Sequence, residues 1–197
     1  MHYLVYSLEK LPAAAAADAA LLDERERAEH ARRGARYLAE RMLLRRELSR
    51  LSGVPVEEIR FTYSANGKPE FAPQPFNISH SRDCLCLAFH HGAVGVDVEF
   101  MRPRDFAQIA PRIMAPQQLE GFLARRCPME EFYACWCAAE ALVKLAGDTV
   151  WHAAERYPFT YRDGKITPLS APETAVELFS PMPGYMGAVT FFIQKNG

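Results

Sequence analysis

Apolar and polar residues alternate at the start of the chain. The run HYLVYSL, at positions 2–8, has the two-residue period of a β-strand. Residues 23–50 follow a different pattern, because apolar side chains recur there at nearly helical spacing while charged residues fill the positions between them. This pattern predicts a helical segment. Its nine arginines and six acidic residues make it the local basic region of the chain.

Strand-like alternation returns in the middle of the chain. Residues 61–70, FTYSANGKPE, combine a short β-prone run with the turn pair Asn66-Gly67, which favours a hairpin or a tight loop with Lys68 projecting from it. The runs CLCLAFHH and AVGVDVEF follow on either side of Gly92. We expect these two strands to pair with each other in an antiparallel meander.

The second half of the chain repeats this order in a looser form. Helical patterns occupy about residues 105–147, and three strand-like segments follow, FTYRDGKITPL, TAVELFS and GYMGAVTFFI, of which the first carries a hairpin signal at Asp163-Gly164. A helical segment followed by a meander, found twice, predicts an α+β fold of two similar lobes with a pseudo-twofold relation, each with helices packed on a small antiparallel sheet. Lobe one would span about residues 1–100 and lobe two about residues 101–197 of one functional unit, for which a monomer would suffice.

Composition narrows the choice of partners. The 197 residues carry a formal net charge of −1, so the chain as a whole lacks the basic excess typical of proteins that bind nucleic acid or anionic membranes. No apolar run reaches the roughly 18 residues that cross a bilayer, and the first residues lack the pattern of a secretory signal. Five cysteines without a CxxC pair indicate free thiols in a reducing compartment. We therefore expect a cytoplasmic protein that binds neither nucleic acid nor membrane.

Two carboxylates interrupt the apolar run AVGVDVEF. Asp97 and Glu99 are two residues apart, so in a strand they share one face while the neighbouring valines point to the other. A solvated face on an edge strand is the simpler interpretation, because most carboxylates in strands are exposed. The alternative is a functional site, and a second segment bears on that choice.

The second segment is EFYACWCAAEALVKLAG, residues 131–147. Between Phe132 and Gly147 its ordinarily charged side chains are Glu140 and Lys144, and a helix that is apolar on nearly all sides is usually buried. On a surface, a Glu–Lys pair four residues apart contributes only about 0.3–0.5 kcal/mol. A buried pair is costly and is often retained because function requires it.

Three carboxylates can therefore converge on one site. Asp97, Glu99 and Glu140 would supply hard oxygen ligands, and near bound phosphate such ligands suit Mg²⁺, which uses few protein carboxylates and keeps some of its waters. The same ligand set also fits a Mg²⁺-dependent nuclease. That class is disfavoured because the chain lacks a generally basic surface.

Three blocks of the sequence resemble the 4′-phosphopantetheinyl transferase family, in the group typified by the activators of surfactin and siderophore synthetases. The blocks are NISHS at 77–81, GVDVE at 95–99 and the helix FYACWCAAEALVKLAG at 132–147, which is similar to the family signature WxxKEAxxK. Their order and spacing match. NGKP at 66–69 and the arginine-rich ARYLAERMLLR at 35–45 also look like segments of this family.

The resemblance implies a transferase that moves the phosphopantetheine arm of coenzyme A to a serine of an acyl or peptidyl carrier protein and releases 3′,5′-adenosine bisphosphate. It implies that Asp97, Glu99 and Glu140 hold Mg²⁺. Lys144 would neutralise the pyrophosphate from one helical turn away, since charge builds up on phosphate oxygens during the transfer.

The resemblance also implies the residues that bind coenzyme A. His80 would contact a phosphate, with Ser79 beside it. Lys68, Arg25 and Arg36 are the candidates for the adenosine end and its 3′-phosphate, because arginine suits phosphate oxygens. The surface of the carrier protein is expected to be acidic, so the remaining arginines would aid docking.

Two positions depart from the family pattern. Ala139 stands where a lysine usually precedes the signature glutamate, so a cation is missing. The glutamate that helps to deprotonate the attacking serine falls on Gln118, whose amide cannot take a proton, unless the alignment shifts by two and Glu120 fills the role. These departures leave open a slow or specialised enzyme, and also a weak or inactive relative that binds coenzyme A or docks on a carrier protein.

Overall fold

The computed structural model of the protein describes residues 1–11, 14–148 and 153–193. Its contacts divide the chain into two compact units, residues 6–75 and residues 76–197 together with residues 1–5. This division lies elsewhere than the predicted lobe boundary near residue 100, and the predicted pseudo-twofold repeat stays unconfirmed. The α+β class with small antiparallel sheets is confirmed.

The unit of residues 6–75 is mainly helical. Helices α1, Glu24–Arg33, and α2, Ala35–Ser52, are followed by the short antiparallel strands β2, Thr62–Tyr63, and β3, Pro69–Glu70. The predicted continuous helix is interrupted at Gly34, whose φ of +75° and ψ of −163° are open to glycine and strongly disfavoured for other residues. The predicted turn before Lys68 is confirmed, because β2 and β3 pair across it.

A buried ion pair joins α1 to α2. The guanidinium of Arg45 donates to both carboxylate oxygens of Glu26, with Nη1 2.9 Å from Oε1, and both side chains are 1% exposed. The same guanidinium lies over the ring of Phe61, 4.7 Å from its centroid. A paired and hydrogen-bonded charge is tolerated in the interior, whereas a single one is not. The pair therefore fixes α1 against α2.

The other unit contains most of the strands and the remaining helices. The strands are β1 His2–Ser7, of which residues 2–5 belong to this unit, β4 Phe76–Ser81, β5 Cys84–Phe89, β6 Val94–Phe100, β7 Phe159–Arg162, β8 Lys165–Pro168, β9 Thr174–Phe179 and β10 Tyr185–Phe192. The helices are α3 Phe106–Ile109, α4 Pro116–Ala124, α5 Met129–Ala146 and α6 Ala153–Arg156. One sheet has the order β1-β5-β4, another has the order β6-β10-β9, and β7 and β8 form the hairpin predicted at Asp163-Gly164. Within the described ranges, no helix has the length and apolar character needed to cross a membrane.

The predicted pairing of the strands CLCLAFHH and AVGVDVEF with each other is wrong. β5 pairs with β4, while β6 takes β10 as its antiparallel neighbour, with Asp97 opposite Ala188. The other edge of β6 faces β4, but side chains of β4 rather than its backbone accept the N–H groups there. Periodicity identifies strands, and it does not tell which distant strand completes a ladder.

Helix α5 packs directly on β6 because position 95 has no side chain. A Cβ atom on Gly95 would lie 2.0 Å from the backbone oxygen of Ala141 and 2.8 Å from the backbone nitrogen of Leu145. The helix face around this contact is also lined by small buried residues, including Ala138 and Ala141. The close approach brings the C-terminal half of α5 against the strand that carries Asp97 and Glu99.

Substituting alanine for Gly95 should therefore separate α5 from β6. Overpacking of a well-packed interior costs about 1–3 kcal/mol, which corresponds to a loss of roughly 2–12 °C in Tm for a chain of this size. Thermal unfolding followed by circular dichroism measures the loss. Gly92→Ala is the matched control, because a Cβ there would meet only His90 Nδ1, at 3.8 Å. Equal Tm values for Gly95→Ala and wild type would contradict this account of the packing.

Candidate active site

The centre of the site is a contact between β6 and α5. Lys144 Nζ lies 2.7 Å from Asp97 Oδ1, and it also donates to the backbone oxygen of Val96 at 3.2 Å. Asp97 is buried, whereas the Lys144 side chain is 28% exposed. The simplest interpretation of the sequence was an ion pair between Glu140 and Lys144 along one helix. In the structure, the lysine instead donates to a carboxylate on the neighbouring strand β6.

Ser79 of β4 completes this contact. Its hydroxyl donates to Asp97 Oδ1 at 2.9 Å, accepts the N–H of Val98 at 3.3 Å and lies 3.3 Å from Lys144 Nζ. Oδ1 of Asp97 is therefore well satisfied. Oδ2 is buried and has no conventional hydrogen-bond partner among the described residues. Burial raises the pKa of the nearby Cys137 thiol, a weak donor, and the negative charge of Asp97 raises it further.

Glu99 and Glu140 lie near this pair and are half-buried. Burial raises the pKa of Glu99, and the charge of Asp97 adds to the effect. Burial likewise raises the pKa of Glu140, with further contributions from Asp97 and Glu99 that outweigh the opposing charge of Lys144. Burial acts to lower the pKa of Lys144, but Asp97 and then Glu140 hold it above its ordinary value. The three predicted carboxylates thus share one neighbourhood, and their repulsion is only partly offset.

This arrangement fits a divalent cation in its chemistry. The unpartnered buried oxygen of Asp97 and the raised pKa values of Glu99 and Glu140 are what a bound cation would relieve, and carboxylate oxygens are the ligands that Mg²⁺ prefers. Within the described ranges, no three acidic, histidine or cysteine side chains already stand in a metal-holding group. Ligation by all three carboxylates therefore requires a change of side-chain conformation.

The NISHS block places its side chains on two faces of β4. Asn77, Ser79 and Ser81 point toward β6, where their oxygens accept the backbone N–H groups of residues 96, 98 and 100. His80 lies between the two serines, so its exposed side chain belongs to the opposite face. The structure thus brings Ser79, but not the His80 imidazole, to the Asp97–Lys144 pair, and the predicted phosphate contact of His80 stays a prediction.

Gln118 does not join the carboxylates. Its amide nitrogen lies 3.1 Å from Cys135 Sγ, and its side chain lines a groove of about 940 Å³ between α4 and the β7–β8 hairpin. Glu120, the alternative base, is exposed on α4. Ala139, where the family pattern has lysine, is fully buried in the apolar core. The spacing along the chain carried no signal for these orientations, because they depend on how α4 and α5 pack.

A second candidate site lies in the unit of residues 6–75. Residues of α1, α2 and the β2–β3 turn line a cavity of about 180 Å³ that includes Arg25, Arg33, Arg41, Tyr37, Tyr63 and Gly67. The Arg25 guanidinium packs over the ring of Tyr63, 4.5 Å from the centroid. Arg41 Nη1 is buried without a hydrogen-bond partner within the described ranges. These cationic groups outnumber the carboxylate of Glu29, which also lines the cavity, and they make it suitable for an anion.

The three predicted adenosine-end residues are distributed differently around this cavity. Arg25 lines it, and the half-buried Lys68 directly follows Gly67 at its wall. Arg36 is not among the lining residues, since it is exposed and lies 3.6 Å from Glu40 Oε1. Arg33 and Arg41 were missed. The helical spacing of Arg41 from Tyr37, four residues earlier in α2, was the available signal, whereas Arg33 lies across the break at Gly34.

Comparison with known proteins agrees with this geometry. A model of the 4′-phosphopantetheinyl transferase superfamily matches residues 93–178, which include β6 and α5. The chain is 32% identical over 166 residues to the 4′-phosphopantetheinyl transferase psf-1 of Bacillus pumilus, a match that covers 78% of this chain and 70% of that protein.

Two further relatives match shorter segments. The 4′-phosphopantetheinyl transferase HetI of Nostoc is 34% identical over 134 residues, covering 62% of this chain and 54% of the relative. The 4′-phosphopantetheinyl transferase AcpT of Salmonella typhimurium is 36% identical over 126 residues, covering 60% of this chain and 62% of the relative.

Fold and site together define an α+β protein in which two carboxylates on a strand face a glutamate and a lysine on a buried helix. The chain belongs to the 4′-phosphopantetheinyl transferase family, whose members are enzymes. The predicted membership of this family is thereby confirmed.

Replacing Glu140 with glutamine should stabilise the protein at neutral pH when divalent cations are absent. Because burial and then Asp97 raise the pKa of Glu140, the folded protein binds a proton there more tightly than the unfolded chain does. Such a carboxyl loses stability as the pH rises from its ordinary pKa, 4.5, through its raised folded value. Glutamine removes this loss.

Thermal unfolding in EDTA across a pH series tests this sign. Glu140→Gln should have the higher Tm at neutral pH, and the difference should shrink as the pH falls below the ordinary carboxyl pKa, where wild-type Glu140 is neutral too. Glu130→Gln, at the exposed start of the same helix, should show no such gain. A less stable Glu140→Gln variant at neutral pH would mean that the charge of Glu140 is compensated in the folded protein.

Proposed function

We propose that this protein transfers the 4′-phosphopantetheine arm of coenzyme A to a serine of an acyl or peptidyl carrier protein, with Mg²⁺ as cofactor. The observation that carries the proposal is the Asp97–Lys144 contact beside Glu99 and Glu140, in which Asp97 Oδ2 is buried and unpartnered within the described part of the chain. Family membership supports the reaction class.

The proposed reaction is a substitution at phosphorus. The serine oxygen forms a bond to the phosphorus that carries the pantetheine arm, the pyrophosphate P–O bond breaks, and 3′,5′-adenosine bisphosphate leaves with the bonding electrons. The serine proton passes to a base. Bound Mg²⁺, held by Asp97, Glu99 and Glu140, would supply positive charge against the developing charge on the phosphate oxygens.

Lys144 would act as the fixed cation of the site. Its ammonium is held by Asp97, Ser79 and the Val96 carbonyl, and Asp97 and Glu140 raise its pKa, so it stays protonated at neutral pH. A cation held before the reaction stabilises charge on phosphate with little reorganisation. The base is a separate matter, because Gln118 lines the groove beside the β7–β8 hairpin and its amide takes no proton, which leaves Glu120 or another carboxylate as candidates.

The cavity lined by Arg25, Arg33 and Arg41 would take a phosphate of coenzyme A. We assign this cavity to the adenosine end of coenzyme A and its 3′-phosphate. Lys68 would contribute from the cavity wall, and Arg36 would contribute from outside the cavity lining. His80 would contact another phosphate from the exposed face of β4. Arginine guanidinium groups beside aromatic rings provide charge and a stacking surface, which suits a nucleotide.

A catalytically weak relative that binds coenzyme A or docks on a carrier protein is the second candidate. The observation in its favour is Gln118, an amide at the position expected for the base. A Mg²⁺-dependent nuclease remains the third, and the net charge of −1 disfavours it. Mass spectrometry of carrier proteins incubated with coenzyme A and Mg²⁺ separates these functions, because a mass gain on a carrier serine occurs with the transferase alone.

Asp97→Asn should abolish Mg²⁺-dependent transfer while the protein stays folded. The amide keeps the size of the side chain but removes the charge that would hold the cation, and the loss of a metal from such a site costs several kcal/mol of transition-state stabilisation, or about 10³-fold in rate. Single-turnover transfer to a carrier protein measures the effect. Glu177→Gln, an exposed carboxylate on β9, is the control. Normal turnover by folded Asp97→Asn would contradict the metal assignment.

Coenzyme A should bind more tightly than its 3′-dephospho form. A charge-assisted hydrogen bond to a desolvated phosphate contributes about 1.5–3 kcal/mol, so calorimetry should show a preference of at least about tenfold. Arg25→Ala should reduce this preference, whereas Arg46→Ala, an exposed arginine of α2 outside the cavity lining, should leave it intact. Equal affinities of wild type for the two ligands would remove the 3′-phosphate from this cavity.

A further inference from the structure

Ser81 makes two hydrogen bonds to β6 that constrain its hydroxyl. Its oxygen accepts the backbone N–H of Phe100 at 3.1 Å, and the hydroxyl donates to Glu99 Oε2 at 3.0 Å. Because one lone pair is occupied by the N–H group, the hydroxyl hydrogen is directed at the carboxylate. One oxygen of Glu99 is thereby tied to β4, and Oε1 is the oxygen that Ser81 does not occupy.

The three β4 side chains that face β6 differ in what they do for the carboxylates. Asn77 accepts the N–H of Val96 at 2.9 Å, so it joins the two strands without touching a carboxylate. Ser81 performs the same joining role at Phe100 and adds the bond to Glu99. Asn77 is therefore an internal reference for the part of the Ser81 contact that only holds the strands together.

The Glu99 side chain requires a hydrogen bond of this kind to stay in one conformation. It is half-buried, and the charge of Asp97 repels it, while the charges of Arg104 and Lys144 act in the opposite sense. A long glutamate side chain near another carboxylate would otherwise turn away, since three side-chain torsions are free to do so. A fixed hydroxyl that donates to one oxygen restricts those torsions.

We propose that Ser81 is a positioning residue for the divalent cation, which it serves by holding Glu99 through Oε2 so that Oε1 is presented to the metal. This inference rests on the proposed function, because it assumes that Glu99 is a ligand. Hydrogen-bond partners behind metal ligands typically contribute about 10–100-fold to metal affinity. Ser81 itself touches neither metal nor substrate in this role.

Binding of Mn²⁺, used as a spectroscopic substitute for Mg²⁺, tests the proposal without any turnover. Electron paramagnetic resonance titration of the whole chain, with no coenzyme A present, should give a Mn²⁺ affinity about 10–100-fold weaker for Ser81→Ala than for wild type. Ser81→Thr, which keeps the hydroxyl, should recover most of it. Asn77→Ala should lower the Tm but leave the Mn²⁺ affinity within about threefold of wild type, because it removes a strand-joining bond alone.

Each outcome decides something. Unchanged Mn²⁺ affinity in folded Ser81→Ala overturns the proposal, and so does an equal loss in Asn77→Ala, which would make the effect one of strand geometry. If Ser81→Ala does not fold, Ser81→Val against Ser81→Thr repeats the comparison, since the two side chains have the same shape and differ in the hydroxyl. Failure of wild type to bind Mn²⁺ would reject the metal of the proposed function itself, which separates that failure from failure of this inference.

Discussion

The site depends on one ion pair, the contact between the buried Asp97 and the partly exposed Lys144. Such a pair is costly to desolvate, and it persists where its remaining polar atoms are satisfied. Here the Ser79 hydroxyl donates to Asp97 Oδ1, while Lys144 Nζ donates to the Ser79 hydroxyl and to the Val96 carbonyl. The pair also requires α5 to approach β6 closely, and only the missing side chain of Gly95 permits that approach. The polar contact and the backbone packing are thus two parts of one constraint.

The same pair leaves the rest of the cluster under-compensated. Lys144 is engaged by Asp97, while burial and the charge of Asp97 raise the pKa values of Glu99 and Glu140. The folded protein therefore holds carboxylates in an environment that disfavours their charged forms. Stability lost in this way in the free protein becomes affinity for a cation, since binding of a cation removes the repulsion.

The local elements could be predicted from the sequence, and their long-range pairing could not. Alternation identified β1 and β6, and the turn pairs Asn66-Gly67 and Asp163-Gly164 were sufficient for two hairpins. The shared face of Asp97 and Glu99 followed from the strand period alone. The choice of β10 rather than β5 as the neighbour of β6 depends on contacts across about ninety residues, which no local pattern records.

The candidate site was predictable to a similar depth. The charged residues of β6 and α5 could be recognised in the sequence because they interrupt apolar segments, where burial of a charge costs free energy unless the charge is paired. The arginine cavity was only partly predictable, since nine arginines share residues 23–50 and the break at Gly34 decides which of them face inward. The roles of Asn77 and Ser81 could be read only once β4 was seen to lie beside β6.

The two departures from the family pattern acquire a different meaning in the folded chain. Ala139 is fully buried in the core, whereas Glu140 and Lys144, one helical turn apart, share the face toward β6. Successive residues of an α-helix are rotated by about 100°, so position 139 faces the core rather than Asp97. The small side chain of Ala139 fits this packing, and its presence does not deprive Asp97 of a cationic partner. The Gln118 amide likewise contacts Cys135, beside the groove between α4 and the β7–β8 hairpin and not at the carboxylates. Neither departure therefore alters the carboxylate cluster.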